Sequence, residues 1–359
     1  FLLAAEAMMA AGYGFPAALP ESPETLVLVH AVTIGWLSLL MCGALLQFVP
    51  VLVARPLQAA GLALPALACL LAGLGCLLSG FLVLAGTIET GLPLLPAAAI
   101  LLPAGFLLIV VIVARTLHGA RPSRLPLPAR FVAIGLACLG VTFILGALFA
   151  LALSGFLPFD VRTQGLRVHA IAGFGGWLTF SAIGVSYRLL PMFMLSPEGG
   201  RRMSRAVLWC GASALAFAIA APMERIAGGP GLCDHAAPAL ATVMLVLYGA
   251  DLAFLYRSRK RRQVELNVRA AFGAFLALFL SMALLLALIA AGALDSHAGA
   301  LIYLVAFGWL TGLGLSQLYK IVPFLTWLEC YGAVMGKRPT PRVQDLVVER
   351  RAQLWFGAY

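Results

Sequence analysis

The chain has 359 residues, of which 62% are hydrophobic and only 11% charged, and it carries a formal net charge of +10. Soluble domains average roughly 45–50% apolar and about 25% charged residues, so a water-soluble globular fold is excluded. What remains is an integral membrane protein whose surplus cations need an explanation.

In chain order, nine apolar runs of about 20 residues follow one another, each long enough to cross a hydrocarbon core of roughly 30 Å. They lie near 25–53, 60–86, 93–115, 131–157, 168–194, 206–222, 236–256, 270–293 and 298–327. The opening "FLLAAEAMMAAGYGF" is too short to span alone and reads as the end of a helix that begins upstream. The closing "RRAQLWFGAY" reads as the start of another, and the chain lacks an initial Met, so both ends are expected to be incomplete. The predicted fold class is all-α: one polytopic helical bundle over residues 1–359.

Cations near helix ends are retained in the cytoplasm, and here they sort onto alternate loops. One set holds Arg55, then Arg115, Arg121, Arg124 and Arg130, then Arg201, Arg202 and Arg205, then Arg257 to Arg269, then Lys337 to Arg351. The other holds Arg162, Arg167 and Arg225 beside Glu21, Glu24, Glu89, Asp160, Glu224, Asp234 and Asp295. The net charge therefore reports topology and contact with an anionic leaflet, and "RSRKRR" at 257–262 needs no nucleic-acid partner. This placement is expected in a bacterial inner membrane.

Of the cysteines, Cys42, Cys69, Cys76, Cys138, Cys210 and Cys330 lie in or beside apolar helices without CxxC spacing and read as small core residues. Cys233, alone on the outer side, offers no intrachain disulfide. The run "GFGG" at 173–176 has no strand before it and is no phosphate cradle. No zinc spacing and no nucleophile with an assignable base are visible.

The chain repeats itself. Residues 30–50, 169–191 and 297–323 each open on His-Ala and end in proline, with Gly-Trp at a constant interval before it. The aligned pairs are Gly35-Trp36 with Pro50, Gly176-Trp177 with Pro191, and Gly308-Trp309 with Pro323. Seven residues before the proline stand Gly43, Gly184 and Ser316, and three before it stand Gln47, Arg188 and Lys320. Enough chain separates the copies for four helices, which predicts three arcs, approximately 1–115, 131–256 and 270–359, with the marked helices as an inner ring.

The small residues read as packing notches, because helices in lipid associate through close backbone approach. The prolines read as breaks where the chain leaves the membrane. Arg188 and Lys320 read as cations reaching to the interface, or alternatively as holders of an anionic group. His118 and His235 fall in solvated positions. His30, His169 and His297 open the three inner helices at the outer face, where an imidazole either caps a neighbouring helix or ligates a metal.

This pattern resembles subunit I of the heme-copper oxidases, and the first copy is closer still to NnrS-type heme proteins of the nitric oxide response. The resemblance covers the arrangement of nearly the whole chain but specific residues only in the three marked helices. It implies a twelve-helix fold and makes His30 and His169 candidate cofactor ligands and metal ligands. The tenth-helix ligands of the oxidases are not matched: Tyr303 and Leu301 stand at those places, and His297 lies about 9 Å farther out at roughly 1.5 Å rise per residue. No histidine appears in 206–222, where the oxidases carry copper ligands, and Gly173 replaces the tyrosine four residues after His169. The implied protein is a degenerate relative that is not a terminal oxidase.

The expected cofactor is one b-type heme or, second to it, copper, ligated by two of His30, His169 and His297 with Tyr303 as a further candidate. The expected partners are the lipid bilayer and other membrane subunits or a cytochrome. The alternative is a non-redox accessory or scaffold subunit of a larger membrane complex that holds no cofactor. A small-molecule transporter ranks third, since Asp251 is the one ionisable residue well inside a helix.

Overall fold

The computed structural model describes residues 1–119, 125–157, 162–197 and 202–359, with side chains omitted at 162–164. Arg121, Arg124, Asp160 and Arg201, together with the Arg162 side chain, lie outside what is described. The described residues form an all-helical bundle without strands, in which nine helices are long and apolar enough to cross a membrane. The chain is an integral membrane protein in contact with lipid.

A short α1 (Leu2–Ala10) precedes the spanning helices α2 (Pro23–Val53), α3 (Ala60–Leu84), α4 (Leu94–His118) and α5 (Leu127–Leu153). Then come α6 (Gly165–Met194), α7 (Arg202–Ile226), α8 (Leu232–Arg257), α9 (Leu266–Ala290) and α10 (Leu294–Val334), before a short α11 (Glu349–Ala358). The start of α2 follows from Ser22-Pro23: the Ser22 hydroxyl accepts the Thr25 amide at 3.3 Å, and proline tolerates the first turn because no hydrogen bond is lost there. The α3–α4 hairpin closes tightly because Gly73 and Gly105 lack side chains. A Cβ on Gly105 would lie 2.7 Å from Leu70, and one on Gly73 2.9 Å from Leu102.

The three repeated segments fall in α2, α6 and α10, and each winds into a π-helical stretch around its Gly-Trp pair. The stretches are Thr33–Ser38, Ile171–Phe180 and Leu304–Thr311. Their tryptophans close a ring: Trp36 Nε1 donates to Thr311 Oγ1 at 3.1 Å, Trp177 to Ser38 Oγ at 3.0 Å, and Trp309 to Thr179 Oγ1 at 3.1 Å. Every copy thus donates from its tryptophan to the hydroxyl standing two residues after another copy's tryptophan. The inner ring is α2, α6 and α10, with Trp177 and Trp309 almost fully buried at its centre.

The small residues divide by neighbour. A Cβ on Gly176 would overlap Cys138 and one on Gly184 would overlap Phe131, both on α5, while one on Gly308 would lie 2.9 Å from Ala277 of α9. A Cβ on Gly35 would lie 2.6 Å from the Phe1 ring and 3.0 Å from Leu74, and Ser316 is buried with its hydroxyl on the Leu313 carbonyl. Gly43 departs from the packing expectation: it is exposed, and a Cβ there would meet nothing within 4 Å.

The prolines also depart from expectation. Pro50 and Pro191 lie inside their helices, which run three residues further and end at left-handed Ala54 (φ 50) and Leu195 (φ 52). The proline carbonyls accept the closing amides of Arg55 and Ser196, each at 3.1 Å, so the left-handed residue and not the proline terminates the helix. After Pro323, α10 continues past Tyr331. All cysteines are free; Cys42 and Cys138 are buried, but Cys330 is exposed and is no core residue.

Candidate functional site

His30 and His169 each stand within three residues of the start of a π-helical stretch, a wider turn that is frequent at functional positions. The His30 Nδ1 lies 2.9 Å from the Leu26 carbonyl one turn back. The His169 Nδ1 lies 3.0 Å from the Thr142 carbonyl of α5. A carbonyl only accepts, so both rings carry their hydrogen on Nδ1 and present an Nε2 lone pair.

The two imidazole centres are 6.4 Å apart with planes inclined at 32°. Phe81 of α3 lies 5.2 Å from the His30 ring, and Phe149 of α5 stands edge-on to His169 at 5.5 Å. Both histidines are half-buried, in an apolar setting between the first and second repeats. With metal–nitrogen bonds of about 2.0–2.1 Å, two imidazoles on opposite sides of one ion place their centres roughly 6 Å apart.

Two supporting residues were not legible in the sequence. Thr142 gives its hydroxyl hydrogen to the Cys138 carbonyl at 2.8 Å and its own carbonyl to His169. Gly146, one turn along α5, leaves room for the ring: a Cβ there would lie 3.2 Å from His169 Cε1 and 3.8 Å from Nδ1. A glycine in an apolar helix is too common to single out, and its role follows only from the helix that crosses beside it.

The other predicted ligands are placed elsewhere. His297 is exposed, with its Nδ1 2.9 Å from Ser296 Oγ and 3.2 Å from the Ala293 carbonyl. Tyr303 is 48% exposed and stacks on Phe307 at 4.7 Å, lining an apolar cleft with Phe15, Val29, Thr33 and Phe174. His297 is bonded at its own helix end and Tyr303 is held on Phe307, so neither is joined to the imidazole pair. Nearby, Arg167 and Asp295 form an exposed ion pair at 2.8 Å that ties α6 to α10.

At the proline end of the ring, Lys320 pairs with Glu265 at 2.7 Å, and Arg261 shares the same carboxylate. Lys320 is therefore engaged with a protein carboxylate. Arg188 is partly buried and engaged in interactions of its own. Asp251 is 2% exposed, and its Oδ2 accepts the hydroxyls of Tyr187 at 2.9 Å and Ser204 at 2.8 Å.

Among the described residues no group of three or more His, Cys, Asp or Glu side chains is placed to hold a metal ion. Among the described residues the His30–His169 pair offers two ligands. A bare tetrahedral ion would want four, whereas a heme iron takes four nitrogens from its porphyrin, and two imidazoles would complete its ligand set. Neither known protein-family models nor curated proteins show a match to this chain.

Proposed function

We propose that the protein is a redox membrane protein that holds one metal centre between His30 and His169, near the outer face, and that the metal is the iron of a b-type heme. The observation that carries this reading is the shared tautomer: both rings donate Nδ1–H to a backbone carbonyl, the arrangement typical of metal-ligating histidine. When bound, such a heme supplies one-electron exchange between ferric and ferrous iron.

The protein's own part is to hold and shield. The Leu26 and Thr142 carbonyls fix the two ring orientations, and Phe81 and Phe149 keep the surroundings apolar. The reading does not include terminal oxidase activity, because the two adjacent histidines that would help hold a copper ion beside the heme have no counterpart in 206–222. Electron transfer and chemistry linked to nitric oxide are the roles it leaves, in a bacterial inner membrane, with a cytochrome or another membrane subunit as electron partner.

The test is a reduced-minus-oxidised spectrum with metal analysis of protein purified from heme-supplied cells. One heme per chain is expected, lost in His30→Ala and in His169→Ala but retained in His297→Ala and Tyr303→Phe. Copper without heme, dependent on the same two residues, would keep the site and change its metal. A colourless, metal-free preparation that is otherwise folded would overturn the reading and favour an accessory scaffold subunit.

A further inference from the structure

Deep in the bundle a continuous file of aromatic rings crosses from the second repeat to the third. Phe180 and Phe131 lie 4.6 Å apart, Phe131 and Tyr187 5.7 Å, Tyr187 and Tyr248 5.5 Å, Tyr248 and Phe275 6.1 Å, and Phe275 and Trp309 5.6 Å. All six are buried. Phenylalanine would fill this core without any hydroxyl to satisfy, yet two members are tyrosines, and beside them a carboxylate is buried within a spanning helix. A charge so placed is costly and marks function by default.

The two tyrosines differ in what receives their proton. Ser186 Oγ donates to the Ile183 carbonyl at 2.6 Å, so the Tyr248 hydroxyl, 2.6 Å from that same oxygen, donates to a neutral serine. The Tyr187 hydroxyl donates to Asp251 Oδ2. A phenol that loses an electron becomes strongly acidic, and a carboxylate accepts its proton where a serine hydroxyl does not.

We propose that Tyr187 is a redox-active tyrosine with Asp251 as its proton acceptor, and that Tyr248 and Trp309 extend its ring file from α6 toward α10. A one-electron oxidant of the metal-complex class takes one electron from Tyr187 and is itself reduced by one. The phenolic O–H bond breaks, and the proton passes to Asp251 Oδ2, leaving a neutral tyrosyl radical beside a protonated carboxyl. Return of the electron draws the proton back and restores both groups. An electron hole on Tyr248, 5.5 Å away ring to ring, settles on Tyr187 because only there can the proton leave. The oxidant is an external metal complex, so the proposal does not rest on the redox reading above.

The experiment supplies an external oxidant, so its outcome is independent of whether His30 and His169 hold a metal. The full chain in lipid nanodiscs is flashed with a ruthenium photo-oxidant and frozen for paramagnetic resonance, with ring-deuterated tyrosine incorporated. A tyrosyl signal narrowed by the deuterium is expected. It should fall several-fold in Tyr187→Phe and in Asp251→Asn, and persist in Asp251→Glu and in Tyr248→Phe. In the unmodified protein, infrared difference spectra with isotope-labelled aspartate should show a protonated carboxyl rising together with the radical. An undiminished signal in folded Tyr187→Phe, or a radical without that carboxyl change, would overturn the proposal. Should the variants fail to fold, the labelled unmodified protein decides alone.

Discussion

At Gly146 a hydrogen atom in place of a side chain lets His169 reach the carbonyl of Thr142. Gly146→Ala places a methyl 3.2 Å from the ring and is expected to shift it by a few tenths of an ångström, while Gly146→Val should drive it off the carbonyl. Loss of such an outer hydrogen bond typically lowers metal affinity about 10–100-fold, which titration of the metal-free protein would measure. Unchanged affinity in Gly146→Val would show that Thr142 does not position the ligand. The inner-ring glycines separate in the same way. Gly184→Ala must displace Phe131 and is expected to cost about 1–3 kcal/mol by overpacking, whereas Gly43→Ala, facing open space, should leave thermal stability unchanged within measurement. A common sequence frame marked Gly35, Gly43, Gly176, Gly184, Gly308 and Ser316 alike; only the neighbouring helix distinguishes a notch from a bare surface.

At the scale of the element, the repeated Gly-Trp pairs sit where three helices widen into π-helical turns and exchange tryptophan hydrogen bonds. The acceptors were present in the sequence as Gly-Trp-Leu-Ser at 35–38 and as Gly-Trp-Leu-Thr at 176–179 and 308–311, but which hydroxyl meets which tryptophan depends on how the helices cross. Removing an acceptor leaves an indole N–H unsatisfied, at about 1–3 kcal/mol when it is buried. Ser38→Ala and Thr179→Val should cost the most, because their Trp177 and Trp309 donors are enclosed. Thr311→Val should cost less, because Trp36 is partly accessible. Denaturant titration in mixed micelles would rank them, and a reversed order would mean that these bonds do not hold the ring.

For the whole molecule, two surfaces report the membrane. Leu64, Ile100, Val246 and Phe272 are 60–74% exposed on spanning helices, as lipid-facing side chains must be. The cation-rich loops lie at the proline end of the inner ring and the histidines at the other. The charge rule therefore predicts that Ser296→Cys is labelled by an impermeant thiol reagent from outside intact cells, and Gln344→Cys only after the membrane is opened. The cysteine-free background is needed because Cys330 is exposed and native. Labelling of the two positions in the opposite sense would place the candidate metal centre on the cytoplasmic side.

Hydropathy was enough to predict the nine helices that, among the described residues, are long and apolar enough to cross a membrane, with their approximate limits, and repetition picked out the three marked segments. These are properties of each segment's own transfer from water into lipid, and they are written locally in residue order. The histidine that opens each copy was equally visible, but not which of the three would meet. Tertiary structure decided that the His30 and His169 rings come within 6.4 Å of each other while His297 bonds at its own helix end and Tyr303 stacks on Phe307, and that Thr142 and Gly146 of a fourth segment lie against His169. It also decided that a buried aspartate meets a tyrosine from another helix. The physical reason is that, once in lipid, helices are sorted by shape and by the few hydrogen bonds their side chains can exchange, and both depend on crossing geometry that no single segment encodes.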